Sequence, residues 1–501
     1  MLILHPPLTK PCEPPAALGY LAATLRTHDL PCTVCDMNIG GLFHLFETVN
    51  PAGDTWSRRA FKNLERNILA LQDKNTYYSV DRYRRAVADI NRVLEIAGKK
   101  FDIQLSLANY QDNSRSPLKS DDLLLAAEDF RLNIFFPYFS AKLEELLSDS
   151  DSDYIGISLN YLSQALCSFA MAGYLKTHHP DKNIIMGGGL VTTWLSQPQW
   201  NNPFGGLIKH FIAGQGEEPL LKLLGKIPDT RHTKPDFAAL QSNSYLSPGF
   251  ILPYATSVGC FWKRCSFCPE QSEDNPYYHN SPATTVSDLQ SLTEVTSPAL
   301  VHLLDNAVSP ATLNAISKSS TIGPWYGFAR FDAPLNELDF CRRLRLSGCV
   351  MLKLGLESGD QGILDRMDKG INLQLVSKIL RNLKEVGINT YVYLLFGTPA
   401  ETRKEAEHTL SFVEEHHLEI SFLNLAIFNL PICSQETAHL EVSDFYEGDL
   451  SLYRSFLHPH GWDRGEVRRF LDTTFKRSPA VAGILRRDPP FFTSNHAPFI
   501  R

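Results

Sequence analysis

Three cysteines in one short loop are the residues of this chain best placed to do chemistry. Cys260, Cys265 and Cys268 lie in Ser257-Val-Gly-Cys-Phe-Trp-Lys-Arg-Cys-Ser-Phe-Cys-Pro-Glu270, directly behind the apolar run Ile251 to Tyr254. A loop this short can curl at the end of a strand and aim three sulfurs at one centre. A closed zinc site wants four ligands, usually as two short pairs. The second pair is not evident, and His279 stands alone. A [4Fe–4S] cluster held by three thiolates needs no fourth protein ligand and leaves one iron open to a small molecule. The spacing therefore points to a cluster ahead of zinc.

Such thiols need a rigid mount, and the sequence that follows supplies one. Leu300 to Leu304 leads into Asp305-Asn306, and Trp325 to Phe328 into Ala329-Arg330-Phe-Asp332. Val350 to Leu356 leads into Glu357-Ser-Gly359, Thr390 to Phe396 into Gly397-Thr-Pro-Ala-Glu-Thr402, and Phe422 to Phe428 into Asn429. Each apolar run ends in polar residues or glycine, and helical stretches separate the runs. With the strand before the cysteines this predicts a partial (β/α)6 barrel over residues 251–435, whose active face collects the C-terminal ends of the strands.

The first half of the chain reads as a second α/β domain, Rossmann-like, over residues 1–225. It begins as strand, helix, strand (Leu2–Leu4, Ala16–Leu25, Cys32–Asp36), continues through a helical insertion at about 41–150, and resumes at Tyr154–Leu159. Asn183 to Met186 then runs into Gly187-Gly188-Gly189, and Leu207 to Ala213 into Gly214-Gln-Gly216. Both glycine clusters sit where ligands approach a parallel sheet, and both also read as tight turns. Residues 226–250, with Pro228, Pro235 and Pro248, read as a linker. Residues 436–501 form a C-terminal extension whose apolar, proline-rich end is expected to pack on the barrel.

Composition narrows the class. With 43% hydrophobic and 21% charged residues over 501 positions, the chain is globular and long enough for two or three domains. A net charge of -7 without any basic stripe argues against a nucleic-acid partner. The apolar N-terminus breaks at Pro6, and no segment approaches the roughly 20 apolar residues of a membrane span. Ten cysteines are too dilute for a disulfide scaffold, so a cytoplasmic location with reduced thiols is expected.

Taken together, the three-cysteine loop with an aromatic before its last cysteine, Gly355-Leu-Glu-Ser-Gly-Asp-Gln361, Arg366-Met-Asp-Lys-Gly370 and Gly397-Thr-Pro-Ala-Glu-Thr402 resemble the radical S-adenosylmethionine (radical SAM) superfamily. The departure is in the loop: the usual spacing is x3 then x2, and this chain has x4. The extra residue, among Phe261 to Arg264, is expected to bulge outward. The Pro-Pro turn, Ile157-Ser158, Gly187-Gly188-Gly189 and the Gly-Gln-Gly-Glu segment resemble the cobalamin-binding-domain class of that superfamily, although no Asp-x-His-x-x-Gly signature is present.

The resemblance implies roles for named positions. Cys260, Cys265 and Cys268 would hold the [4Fe–4S] cluster, with S-adenosylmethionine on its fourth iron. Phe267, Ile427 and Phe428 would lie near adenine. Asp305 and Asn306 would approach the methionyl amino group, Arg330 and Glu357 the carboxylate and ribose, and Gly397 the adenosine. Ser158, Gly187, Gly188, Gly189, Gly214 and Gly216 are the candidate cobalamin contacts. The activity implied is cleavage of S-adenosylmethionine to a 5′-deoxyadenosyl radical, used for cobalamin-dependent methylation of an unactivated carbon. The partners would be a small-molecule or peptide substrate and an electron donor such as flavodoxin or ferredoxin. Two alternatives stay open: a cyclising, rearranging or peptide-modifying radical enzyme without methyl transfer, and a non-catalytic iron–sulfur or zinc protein.

Overall fold

The structure, a computed structural model, describes residues 1–50, 54–148, 152–228, 232–241, 244–319, 322–490 and 496–500. It divides into two compact units. One comprises Met1–Gly249 with Tyr446–Leu452, and the other Phe250–Phe445 with Tyr453–Pro489 and the described tail residues.

The first unit is built on five parallel strands: β1 (Leu2–His5), β2 (Thr33–Asp36), β3 (Tyr154–Ser158), β4 (Asn183–Gly187) and β5 (His210–Ile212). Their order in the sheet is β2-β1-β3-β4-β5, so the chain reverses direction across the sheet between β1 and β3. This is the point where doubly wound sheets open a crevice for ligands. Leu2-Ile-Leu4 and Ile184-Ile-Met186 are continuous buried runs, the pattern of strands covered on both faces.

The helical insertion leaves the sheet directly after β2. Asp36 ends the strand and caps helix Met37–Thr48, its carboxylate accepting from the N–H groups of Asn38 and Ile39. Within the insertion, Asn63 (φ −105°, ψ 5°) leaves helical geometry and separates helix Thr55–Lys62 from helix Leu64–Gln72. An antiparallel pair, Ile103–Leu105 with Tyr110–Asp112, interrupts the helices. Three-residue strands are too short to show a period. The expected end of the insertion near residue 150 lies outside the described residues. The stretch read as a linker is anchored to this unit: the Phe237 ring occupies the space a Cβ on Gly19 would fill, and Tyr245 donates its hydroxyl to Asp36 at 3.0 Å.

The second unit carries β6 (Ile251–Tyr254), β7 (Leu300–Leu303), β8 (Trp325–Ala329), β9 (Cys349–Glu357), β10 (Asn389–Phe396) and β11 (Phe422–Ile427). They lie side by side in chain order and parallel throughout, the partial barrel the sequence predicts. The helices start at capping residues: the Ser281 and Ser309 side chains accept from Thr284 and Thr312, each with proline at the first helical position, and Thr402 with Glu405 forms a capping box.

The barrel is filled from its N-terminal end. Ile251, Leu300, Tyr326, Met351, Tyr391 and Phe422, each near the start of a strand, form one buried cluster with Ala497, and Ile500 packs against it. The C-terminal tail is thus part of the barrel core, with the His496 ring 4.2 Å from that of Tyr391 and 4.7 Å from that of Phe422. One step toward the strand C-termini, Lys353 is 2% exposed. Its Nζ stands 3.3 Å from His302 Nε2 and 5.0 Å from the centre of the Phe328 ring. The small antiparallel sheet Leu430–Pro431, Tyr453–Phe456, Val442–Asp444 was not legible as strands. Among the described residues no helix is long and apolar enough to cross a membrane.

Met351 is fully buried in the barrel cluster. Met351→Ala should cost about 2–5 kcal/mol, the usual price of such a truncation, read as a lower denaturant midpoint for this unit. A loss under about 1 kcal/mol would show that this cluster is not where the barrel's stability resides.

Candidate functional site

The cysteine loop is held at both ends. Asp305, at the end of β7 and 1% exposed, accepts at 2.6 Å from the hydroxyls of Thr256 and Ser257 and at 3.0 Å from the Thr256 N–H. These bonds fix the two residues that lead out of β6. Gly259 follows with φ 80°, and a Cβ there would stand 2.4 Å from the Pro276 carbonyl oxygen, so only glycine fits. At the far end the Ser266 N–H donates to the Met367 carbonyl at 3.0 Å, stitching the loop to the turn after β9.

Cys268 is pushed up to about 11, first by burial, with the Cys265 and Cys260 thiols adding to the rise. Burial also raises Cys265, while the Lys369 and Arg330 cations oppose the rise. Among the described residues no group of His, Cys, Asp and Glu gathers as ligands of a single metal ion.

Beside the thiols lies a buried charged pair. Glu357 ends β9 in the left-handed region at φ 68°, a conformation costly for any residue but glycine and one that collects at functional sites. Its carboxylate takes a 2.8 Å ion pair from Lys369 Nζ, and the pair lies over Gly355, where a Cβ would come within 2.5 Å of the carboxylate. Lys369 also stands 5.5 Å from the centre of the Phe267 ring. Arg330, 7% exposed, donates through Nη2 to the Lys369 carbonyl. Its Nε is 3.7 Å from Asp332 but makes no hydrogen bond.

The turn after β10 forms the other side of the barrel mouth. Gly397 has φ 79°, and its missing Cβ would meet Val467 at 3.1 Å and Ile427 at 3.8 Å. Its N–H donates at 2.5 Å to Glu401, which also accepts at 3.0 Å from the Trp462 indole N–H. The second Glu401 oxygen is buried without a partner, and burial raises this carboxyl to about 7. His458 closes the network, with Nε2 at 2.9 Å from the Thr398 carbonyl.

Of the positions expected to face S-adenosylmethionine, Arg330, Glu357 and Phe267 are linked through Lys369, and Gly397 and Ile427 adjoin each other. Phe428 is 4% exposed and packs on Phe456, Asp305 spends its oxygens on the loop, and Asn306 is exposed. Trp262 and Arg264 both reach Asp368. The Trp262 indole donates to the Asp368 carbonyl, and Arg264 pairs with the Asp368 carboxylate, both at 2.9 Å.

In the first unit, Asn160 joins the candidate positions after β3 and β4. Its amide donates to Ser158 Oγ at 3.0 Å, and its oxygen accepts from the Gly189 N–H at 3.0 Å. Gly187 pairs with Ser158 in the sheet. At Gly188 (φ 113°) a Cβ would stand 2.4 Å from the Leu159 carbonyl oxygen. Gly214 donates its N–H to Thr192 Oγ1 at 2.9 Å and faces open space, whereas Gly216 has Leu21 and Leu220 as its nearest neighbours. His5, at the end of β1, is 5% exposed and its Nδ1 has no hydrogen-bond partner.

Comparison with known proteins fits this arrangement. Residues 328–413, spanning Arg330, Glu357, Lys369, Gly397 and Glu401, match the model of the Radical SAM superfamily. These residues carry a radical SAM domain. That domain implies a [4Fe–4S] cluster and S-adenosylmethionine as cofactors, and the chemistry of the donor set fits them: three thiols in one short loop, with the Arg330 and Lys369 cations acting on Cys265.

An uncharacterized methyltransferase of Pyrococcus horikoshii is 24% identical over 226 residues, 43% of this chain and 47% of the relative. The chain thus spans about half the length of that relative. Among solved structures, the radical S-adenosylmethionine methyltransferase TsrM of Kitasatospora setae, with tryptophan and a SAM analogue bound, superposes over 98% of this chain and 89% of its own at TM-score 0.54 and 14% identity. The same enzyme with cobalamin and a [4Fe–4S] cluster bound gives TM-score 0.50 at 14% identity, covering 86% of this chain and 75% of its own. The cobalamin-dependent radical enzyme OxsB gives TM-score 0.53 at 14% identity, covering 95% of this chain and 66% of its own. The fold is that of the cobalamin-binding class of radical SAM enzymes.

Sequence reasoning gave no role to Lys369, Glu401 or Asn160. The first two lie inside motifs already quoted, and their signal is a charged residue beside a glycine turn; Asn160 carried none. Glu401 makes a pH prediction. Its folded value is raised, so its contribution to stability is whole below the ordinary carboxyl range of about 4.5 and is lost as pH rises through about 7. The denaturant midpoint of the wild type should fall between pH 5.5 and 8, and Glu401→Gln should flatten that fall. An unchanged slope in the variant would show that Glu401 is not the titrating group.

Proposed function

We propose that this protein is a cobalamin-dependent radical SAM enzyme that methylates an unactivated carbon of a small-molecule or peptide substrate. The observation that carries the reading is the cysteine loop itself, fixed by Asp305 behind the first strand of a six-stranded parallel sheet, with Cys265 beside the buried Arg330 and the Lys369–Glu357 pair. Three thiolates suit a cluster with one open iron. Cys260, Cys265 and Cys268 would hold that cluster, and when bound and reduced it would supply the one-electron chemistry for cleavage of S-adenosylmethionine.

This chain's residues bind and orient. Arg330 offers a buried cation to the methionyl carboxylate. Glu357, fixed by Lys369, presents its remaining acceptor capacity to the ribose, and Gly397 leaves room for adenosine against Ile427. Asp305 keeps the cysteine loop in place, and the apolar cluster at the barrel's lower end, sealed by Ala497, keeps water from entering there.

Cobalamin is supported by the first unit, where Gly214 leaves backbone open after β5, and by the fold shared with TsrM and OxsB. Bound there, it would supply methyl-transfer chemistry. As a cytoplasmic enzyme it would draw its electron from a small carrier such as flavodoxin or ferredoxin. Residues 1–225 would then form the cobalamin domain, 251–435 the radical domain and 436–501 the extension.

Anaerobically reconstituted protein should be brown and, with dithionite, should convert S-adenosylmethionine to 5′-deoxyadenosine. The Cys260→Ala/Cys265→Ala/Cys268→Ala variant should lose both properties. A colourless wild-type protein containing one zinc would refute the radical reading. Gel filtration after incubation with hydroxocobalamin should leave the corrin spectrum on the protein; a corrin-free peak would remove cobalamin and leave the radical chemistry standing.

A further inference from the structure

The cysteine loop has one residue more than the usual spacing, and the structure shows what the added length delivers. Lys263 turns the loop with a left-handed backbone, φ 43°, and pairs with Asp274 at 2.5 Å. On either side of that turn, Trp262 and Arg264 are brought onto the residues after β9. The Arg330 guanidinium carbon lies 4.3 Å from the centre of the Trp262 ring, and that of Arg264 lies 5.0 Å away. The indole N–H is bonded to the Asp368 carbonyl. At Gly370, φ 68°, a Cβ would come within 2.0 Å of the indole, so this turn is shaped to receive the ring.

These contacts converge on Lys369. The residues before and after it, Asp368 and Gly370, are held by Trp262, and its own carbonyl accepts from Arg330, which lies against the same ring. Its ammonium is what fixes Glu357. Arg330 is almost wholly withdrawn from water, where a cation needs partners to hold its place. An aromatic face supplies one without neutralising the charge.

We propose that Trp262 is a positioning residue for S-adenosylmethionine: the longer cysteine loop carries its indole onto Arg330 and the Asp368–Gly370 turn, and so sets the two cations and Glu357 to receive the cofactor. The proposal rests on the reading that Arg330 and Glu357 face S-adenosylmethionine in a radical SAM domain. Trp262 acts through them.

The test uses the full chain, anaerobically reconstituted, as wild type, Trp262→Ala and Trp262→Phe. Iron and sulfide content and the electron paramagnetic resonance spectrum of the reduced cluster report whether the site is loaded. Equilibrium dialysis with S-adenosylmethionine, and the change it causes in that spectrum, report cofactor binding. Trp262→Ala is expected to keep its cluster but to bind S-adenosylmethionine about tenfold more weakly, the scale of one desolvated cation–π contact, with the spectral change displaced to correspondingly higher concentration. Trp262→Phe, which retains a ring face but no N–H, is expected to recover most of the affinity.

A cluster-replete Trp262→Ala protein that binds as tightly as wild type would overturn the proposal. If Trp262→Ala fails to take up the cluster, Trp262→Phe decides: a loaded Phe variant with wild-type affinity supports the ring-face role, and one as weak as unliganded background overturns it. Loaded wild-type protein that binds no S-adenosylmethionine would instead refute the underlying reading, before any variant is made.

Discussion

The ion pair between Glu357 and Lys369 is the contact on which the barrel mouth depends. It is 2.8 Å long, and its two side chains are 12% and 9% exposed, so neither charge has much water to fall back on. Withdrawing such a pair from solvent is unfavourable unless geometry and further hydrogen bonds compensate. Here the compensation is structural: Gly355 leaves room beneath the carboxylate, and Arg330 and Trp262 hold the turn that carries Lys369. A mouth this heavily cross-linked is preorganised, the condition under which a protein can orient a cofactor without rearranging around it.

The same economy appears around the cysteine loop. Its flexibility is removed by Asp305 at one end and by the Ser266 to Met367 bond at the other, while its middle is anchored by Trp262 and Arg264. Lower in the barrel the character changes. Lys353 and His302 give way to an apolar floor, and the last described residues of the chain close that floor.

Sequence patterning carried the architecture because parallel strands are read from continuous apolar runs ending in polar turns, a local signal. The barrel strands Ile251–Tyr254, Cys349–Glu357 and Asn389–Phe396, and Leu2–His5 and Asn183–Gly187 of the first unit, are of this kind. What escaped were elements with no period to show: the break at Asn63, the three-residue hairpin at Ile103 and Tyr110, and the small sheet completed by Tyr453–Phe456. The stretch 226–250 read as a linker because it has no sustained periodicity. Phe237 and Tyr245 nonetheless bind it to the first unit through contacts far apart in sequence.

The division for the site is similar. The sequence by itself pointed to the ligand chemistry, since three thiols at x4 and x2 without an evident fourth ligand favour a cluster with an open position over a closed zinc site, and it placed glycines at the strand ends. Only the tertiary structure decided the partners. Lys369 reaches Glu357 across 12 residues, Trp262 reaches Asp368 across 106, and Trp462 reaches Glu401 across 61. Such pairings have no local signature, because a side chain's charge or ring is written in the sequence whereas its neighbour is set by how the strands are brought side by side.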